Sequence, residues 1–385
     1  MLEKALTGSS KYWGLVAFLL ALVGAGLLAY LRQLDAGLAV TGLGRDVPWG
    51  FYIAQFTFLV GVGASAVMLV LPYYLHHFRP FGRIVVLGEF LAIAAVLSCM
   101  LFVLVDLGRP TRLLNVLFNP TPSSPMFWDI LSLSGYLLLN MVIAHGTFAA
   151  ERKGVPPSRW LRPLIILSIP WAVSIHTVTA FLYSGLEARP FWRTAILAPR
   201  FLASAFASGP SLLVLLALLL RRLSKFDAGD EAIAKLAHIV TYALVIGEFF
   251  FGVELFTSLY GNMPAHTSHF RYLFFGLEGG HALVGWMWAS QVLLCAAMLV
   301  LLLPRARSNH TVLGLACAAA VAGIWIEKGM GTVIGGFNPN PFERVHEYTP
   351  TAAELLIVVG VYAIGALLVT VLYKIAVGVR EELES

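Results

Sequence analysis

A chain of 385 residues that is 59% hydrophobic and only 12% charged, with a mean hydropathy of +0.81, falls outside the composition of soluble domains and reads as a polytopic membrane protein. Its apolar segments are continuous and lack the alternation that barrel strands need, so the expected fold class is all-α. The net charge of +5 needs no nucleic acid, because basic loops facing anionic lipid account for it.

Runs of about 20 mostly apolar residues predict ten spans, near 12–31, 50–75, 84–107, 127–149, 161–185, 199–220, 233–260, 281–303, 311–335 and 353–377. No small-x-small cleavage pattern follows the first, so a retained helix is expected there and not a removed signal. If the N-terminus lies on side A, that side collects sixteen of the 26 Lys and Arg, among them Arg79, Arg83, Arg159, Arg162, Arg221 and Lys225. The positive-inside preference then puts both termini in the cytoplasm. Side B carries 32–49, 108–126, 186–198, 261–280 and 336–352, expected to be ordered loops rich in Gly, Pro, Asn and aromatic residues. In GGFNPNPFERVHEYTPTAAE the prolines exclude helix, and the Phe and Tyr side chains offer anchors to a partner. The alternative is a loop folded back over its own helix ends.

Cys99, Cys295 and Cys317 each stand alone in a span, so the chain holds no iron-sulfur cluster by itself. No two helices offer two histidines each at matched depths, which disfavours a two-haem cytochrome b; a single haem between His145 and His238 stays an alternative. The informative groups are ionisable residues inside apolar helices, which insertion scales penalise by about 2.5–3.5 kcal/mol each. Glu89 and Asp106 stand seventeen residues apart at opposite ends of the third span, about 25 Å at helical rise. Glu248 and Glu254 lie in the seventh span and Glu327 with Lys328 in the ninth. Each acid is either part of a proton route or internally paired, and pairing is favoured for the adjacent Glu327 and Lys328. In the fifth span Pro170 loosens the backbone ahead of His176. His176 is either a hydrogen-bonded core residue or a functional group, and Tyr183, Arg109, Arg200, Trp128, Trp49 and Asp106 are expected near the same membrane surface. An apolar, aromatic-ringed slot with a histidine or acid to exchange protons, and an arginine to favour an anionic oxygen, suits a quinone.

LGRDVPWGFYIAQFTFLVGVGASA, VDLGRPTRLLNVLFNPTPSSPMFW and FLYSGLEARPFWRTAILAPRFLASAFASG together resemble the NrfD/PsrC family of quinone-reacting membrane subunits, over almost the whole chain. Within it, SIPWAVSIHTVTAFLY and IEKGMGTVIGGFNPNPFERVHEYTPT look most like the DsrP branch, from the sulfur-metabolism complex DsrMKJOP. The resemblance implies two four-helix bundles with flanking helices in a cytoplasmic (inner) membrane. The division would be 1–49 (flanking helix and loop), 50–185 (first bundle), 186–335 (second bundle) and 336–385 (outer loop and last helix). It implies a quinone, menaquinone or ubiquinone, as cofactor, with no haem or iron-sulfur cluster in this chain. Electrons would pass between it and a DsrO-like ferredoxin-type iron-sulfur subunit on the outer face. A haem b membrane protein, a multihaem cytochrome c and a cytoplasmic iron-sulfur protein would complete the complex. Carried onto this sequence, the site is Asp106, Arg109 and His176, with Tyr183, Trp128, Gln55 and Arg200 around it and Glu89, Glu248 and Glu254 on a proton route. The second span has no histidine, which leaves the proton donor unidentified. Other readings of the same residues are a membrane anchor or ion-conducting module without quinone chemistry and, more distantly, a secondary transporter.

Overall fold

The computed structural model describes residues 2–155, 157–224 and 226–384; Lys225 of the side A count lies outside them. Ten helices are long and apolar enough to cross a membrane: α1 (Ser10–Val40), α2 (Phe51–Leu75), α3 (Val85–Asp106), α4 (Pro125–Arg152), α5 (Leu161–Ser184), α6 (Leu197–Leu223), α7 (Asp230–Tyr260), α8 (Val284–Leu302), α9 (His310–Phe337) and α10 (Ala352–Arg380). No β-strand occurs among the described residues. The all-α, ten-span expectation holds, and each predicted span falls on one of these helices. A belt of bare apolar side chains, among them Phe18, Leu28, Leu138, Phe249, Val292 and Leu315, faces outward, as lipid contact requires.

Local chemistry sets several helix ends. The Ser9 hydroxyl caps α1 by accepting from the Tyr12 amide, and Asn309 caps α9 by accepting from the Thr311 and Val312 amides. Thr351 and Glu354 form a reciprocal capping box at α10: the Glu354 carboxylate accepts from the Thr351 amide (2.8 Å) and the Thr351 hydroxyl from the Glu354 amide (3.3 Å). The same carboxylate accepts from the Gly42 amide (2.7 Å) and the Tyr348 hydroxyl (2.5 Å), so one buried acid ties three segments together.

Helices α2, α3, α4 and α5 pack in a ring, as do α6, α7, α8 and α9. Helix α2 joins the two rings, touching α6 and the second half of α9 as well as α3 and α5. It is apolar on all sides, Phe51 to Gly63 without exception buried, which is the pattern of a helix enclosed by others. Helices α1 and α10 pair outside the rings, and α10 also rests on α3. The pair meets at two glycines: a Cβ on Gly26 would stand 2.6 Å from the Gly360 Cα, a crossing only small residues permit. The chain ends share one face, where the Lys4 ammonium donates to the Gly378 carbonyl (2.5 Å) and Arg380 pairs with Glu151.

On the opposite face one expectation changes and one open alternative is decided. The stretch 261–280, expected as loop, contains a helix, Pro264–Phe275, opened by proline at its first position and buried along His269, Phe270, Tyr272, Leu273 and Phe274. The segment after α9 is not helical, as its prolines demand, but most of it folds back onto helix ends. Asn340 donates to Asp46 (2.8 Å), the Phe51 amide donates to the Tyr348 hydroxyl (2.9 Å), and Glu347 accepts from the Ala282 amide (2.7 Å). Phe342 alone among its large apolar residues stays bare, 78% exposed.

Candidate functional site

The α2–α5 ring encloses a cavity of about 290 Å³, roofed by the turn that follows α3. The Asp106-Leu-Gly-Arg-Pro motif builds the roof: α3 stops at Asp106, Pro110 starts a short 3₁₀ turn, and Arg109 and Arg112 are left on the wall. Asp129, one turn into α4, is a second acid on the wall. Apart from Ser134 the rest is apolar or aromatic, including Ile53, Phe56, Met100, Val103, Leu117 and Leu133. The wall therefore combines two carboxyls and two guanidiniums with a mostly apolar lining that suits a hydrocarbon chain.

Asp129 is 4% exposed and accepts from the Thr179 hydroxyl (2.7 Å), which fixes it against α5. Asp106 keeps one carboxyl oxygen, Oδ1, buried without a partner. Behind Asp106, Gln33 donates to the Val105 carbonyl (2.6 Å) and accepts from the Tyr52 hydroxyl (2.7 Å), locking α1, α2 and α3 together. Trp49 closes the cavity toward the second ring, within an aromatic group of Tyr183, Trp192 and Phe337. The Trp192 indole donates to the Thr332 carbonyl (2.8 Å), and Gly336 lies so close to that ring that a Cβ would stand 2.2 Å from it.

The other expected residues surround this cavity at different removes. His176 is fully buried on α5, three residues before Thr179 and so on the same helix face. Its Nδ1 meets the Ala172 carbonyl at 2.9 Å, and its Nε2 is buried with no partner. The Tyr183 hydroxyl bonds the Thr57 hydroxyl. Gln55 accepts from the Trp325 indole (2.6 Å) and the Tyr362 hydroxyl (2.7 Å), holding α9 and α10 against α2. Trp128 is turned outward, its indole donating to the Pro122 carbonyl (2.7 Å). None of these four lines the cavity, although Trp49, Ile53, Phe56 and Leu182 beside them do.

Arg200 does not line this cavity. It is buried in the second ring, paired with both Glu254 and Glu327. The internal pairing favoured for Glu327 and Lys328 holds, but with neighbouring helices and not with each other, since successive residues point to different sides of a helix. Lys328 turns to the Phe201 carbonyl (3.3 Å), in the π-helical stretch Trp325–Ile334, and packs on Gly61 of α2. Glu248 borders the same cluster. Glu89 sits at the other end of α3, fully buried, accepting from the Thr147 hydroxyl (2.8 Å) with its second oxygen unpartnered. His145 and His238 lie on α4 and α7, in different rings. No cluster of three or more His, Cys, Asp or Glu among the described residues is arranged for a metal ion.

Sequence reasoning missed Asp129 and Arg112. Both had a readable signal: an acid one turn into an apolar span, and a second arginine three residues after Arg109.

Residues 39–330 match the family described as polysulphide reductase, NrfD. The chain belongs to the NrfD family. It is 27% identical to a putative dimethyl sulfoxide reductase membrane subunit of Halobacterium salinarum, over 93% of this chain and 89% of that one. It is 24% identical to the Hdr-like menaquinol oxidoreductase integral membrane subunit of Archaeoglobus fulgidus, over 97% of this chain and 95% of the relative. The integral membrane subunit of a menaquinone reductase from Nitratidesulfovibrio vulgaris is 22% identical over 95% of this chain and 91% of its own length. NrfD-family membership and ten apolar helices make this chain a multi-pass integral membrane protein.

Proposed function

We propose that this chain is the quinone-interacting membrane subunit of a redox complex, with its quinone site in the α2–α5 cavity. The observation that carries the reading is the cavity itself: a mostly apolar chamber whose charged groups, Asp106, Asp129, Arg109 and Arg112, are two proton carriers and two cations. The unpartnered Asp106 oxygen supports the fit, because a buried acceptor without a partner is costly unless a ligand or water completes it. Relatives named for menaquinol and menaquinone chemistry support the same class.

A quinone supplies two-electron, two-proton redox chemistry when bound. Asp106 and Asp129 hold the exchangeable protons at its polar end, Thr179 orients Asp129, and Arg109 and Arg112 favour negative charge on a ring oxygen. His176, one turn along α5 from Thr179, is a positioning residue behind the wall. Tyr183 and Gln55 brace α2 against its neighbours, and the Trp49 group keeps water out. Protons reach the other face by way of Glu89, and Glu248 and Glu254 belong to a second route.

The finer assignment is the DsrP branch of a sulfur-metabolism complex in the inner membrane. Its ferredoxin-type, DsrO-like iron-sulfur partner docks on the outer face around bare Phe342 and the neighbouring hollow lined by His269, Arg271, Glu278 and Glu343. A haem b protein, a multihaem cytochrome c and a cytoplasmic iron-sulfur protein complete that assembly.

Titrating the purified protein with a fluorescent quinol analogue tests the site. Saturable quenching is expected, weakened about tenfold or more in Asp106→Asn and Asp129→Asn and less in His176→Ala. Absence of saturable quenching in folded wild-type protein would overturn it. That result would favour the second reading, an ion-conducting module, for which the buried Arg200, Glu254 and Glu327 cluster beside Glu248 and Lys328 is the specific support.

A further inference from the structure

On the face that carries the chain ends, the loop after α2 and the start of α5 enclose a hollow of about 520 Å³. Arg79, Arg159 and Arg162 line it, together with His77, Tyr73 and Tyr74, and no acid does. The same face pairs its cations where acids are within reach: Arg380 bonds Glu151, and Arg221 bonds Asp227 and Asp230. None of the three arginine side chains in the hollow has an ion-pair or hydrogen-bond partner among the described residues, and all three are exposed. Three like charges converging on one concave surface repel one another unless an anion joins them.

The surroundings say which anion. Leu75 and Ile166 also line the hollow, are 47% and 46% exposed, and end or begin membrane-spanning helices. The basic floor therefore continues, past Leu75 at the end of α2, into a bare apolar strip down the outside of α5 formed by Ile166, Leu167, Val173 and Phe181, with Trp160 beside it at 57% exposure. A free phosphate would use the arginines and leave the strip unused; a phospholipid uses both. The loop is held for this purpose in an uncommon conformation. His77 has φ +54°, and the His76 and Phe78 amides both donate to the Pro72 carbonyl (3.2 and 3.0 Å). A non-glycine residue in the left-handed region is strained unless its surroundings repay it, and this one lines the hollow.

We infer that this hollow is a binding site for the phosphate headgroup of an anionic phospholipid, with Arg79, Arg159 and Arg162 as its ligands and Leu75 with the outer side of α5 as the acyl-chain surface. The site is separate from the α2–α5 cavity and stands whether or not that cavity takes a quinone.

The test uses the full-length protein in phosphatidylcholine nanodiscs, titrated with phosphatidylglycerol and followed by native mass spectrometry of the released protein. One phosphatidylglycerol is expected to stay bound where phosphatidylcholine does not. A basic side chain near an anionic lipid contributes enough for about a fivefold change in affinity. Arg79→Gln, Arg159→Gln and Arg162→Gln should therefore each weaken retention by about that factor, and the triple variant by about a hundredfold. A control removing three charges elsewhere on the face, Arg152→Gln with Lys153→Gln and Arg222→Gln, should leave retention unchanged. Equal loss in the control would reduce the effect to general surface charge and overturn the site. Equal retention of phosphatidylcholine, or millimolar inorganic phosphate displacing the lipid completely, would overturn the lipid assignment. Melting curves in pure phosphatidylcholine should coincide for wild type and triple variant; if the triple variant melts early, the single variants carry the comparison.

Discussion

The charged residues of the second ring are held by one another. Arg200 serves two acids at once, and all three side chains are nearly enclosed. Arg200→Met would leave Glu254 and Glu327 buried without a cation, at about 3–5 kcal/mol, and a large fall in the thermal melting point in detergent is expected. Glu254→Gln should cost much less, because Glu327 still answers the guanidinium. A melting point for Arg200→Met within a degree or two of wild type would contradict the enclosed cluster. In the first ring, Asp106 and Arg109 were legible because a turn motif at a span boundary announces them. Asp129 carried a weaker sign, a lone acid just past the first turn of an apolar helix. Its meaning came from Thr179, fifty residues away.

Helix ends and crossings carry the next set of expectations. Gly360→Leu would force α1 away from α10, since even a Cβ at that position stands 2.8 Å from the Gly26 Cα. Overpacking of this kind typically costs about 1–3 kcal/mol, and cross-linking between cysteines placed on α1 and α10 should fall with it. The outer helix has a pH response of known sign. His269 is buried and bonds the Asn338 (2.6 Å) and Gly335 (3.1 Å) carbonyls through Nδ1. Burial pushes its basicity down to about 4 from the usual 6.5. Between those values the unfolded chain takes up a proton that the folded one refuses, so stability is full above pH 6.5 and declines as pH falls toward 4. The loss amounts to roughly 3 kcal/mol. Hydrogen exchange across 264–275 and 335–348 should quicken over that window, and His269→Gln should flatten the response. An unchanged exchange rate from pH 7 to 4 would count against the buried neutral histidine. That helix was missed as an element although Pro264 marks its first turn, because a twelve-residue amphipathic segment carries little signal beside spans of 20–30.

At the scale of the molecule, α2 is the axis on which both rings are built, and its burial explains why it has no polar stripe. The chain ends and the basic loops share one face. With the positive-inside preference, C-terminal fusions should be fluorescent with green fluorescent protein and inactive with alkaline phosphatase; the reverse pattern would invert the orientation. By itself the sequence determined the class, the number of spans and the acid-arginine turn. Those are written in local hydropathy and in one contiguous motif, where each residue contributes independently of where the rest of the chain goes. Only the tertiary structure decided the partners: Arg200 with the acids of α7 and α9, Asp129 with α5, Gln55 with α9 and α10, and the outer segment with its own helix ends. These are pairings between helices, and the order in which apolar helices pack is set by side-chain shape and by buried polar groups that must find one another, neither of which has a period that can be read along the chain.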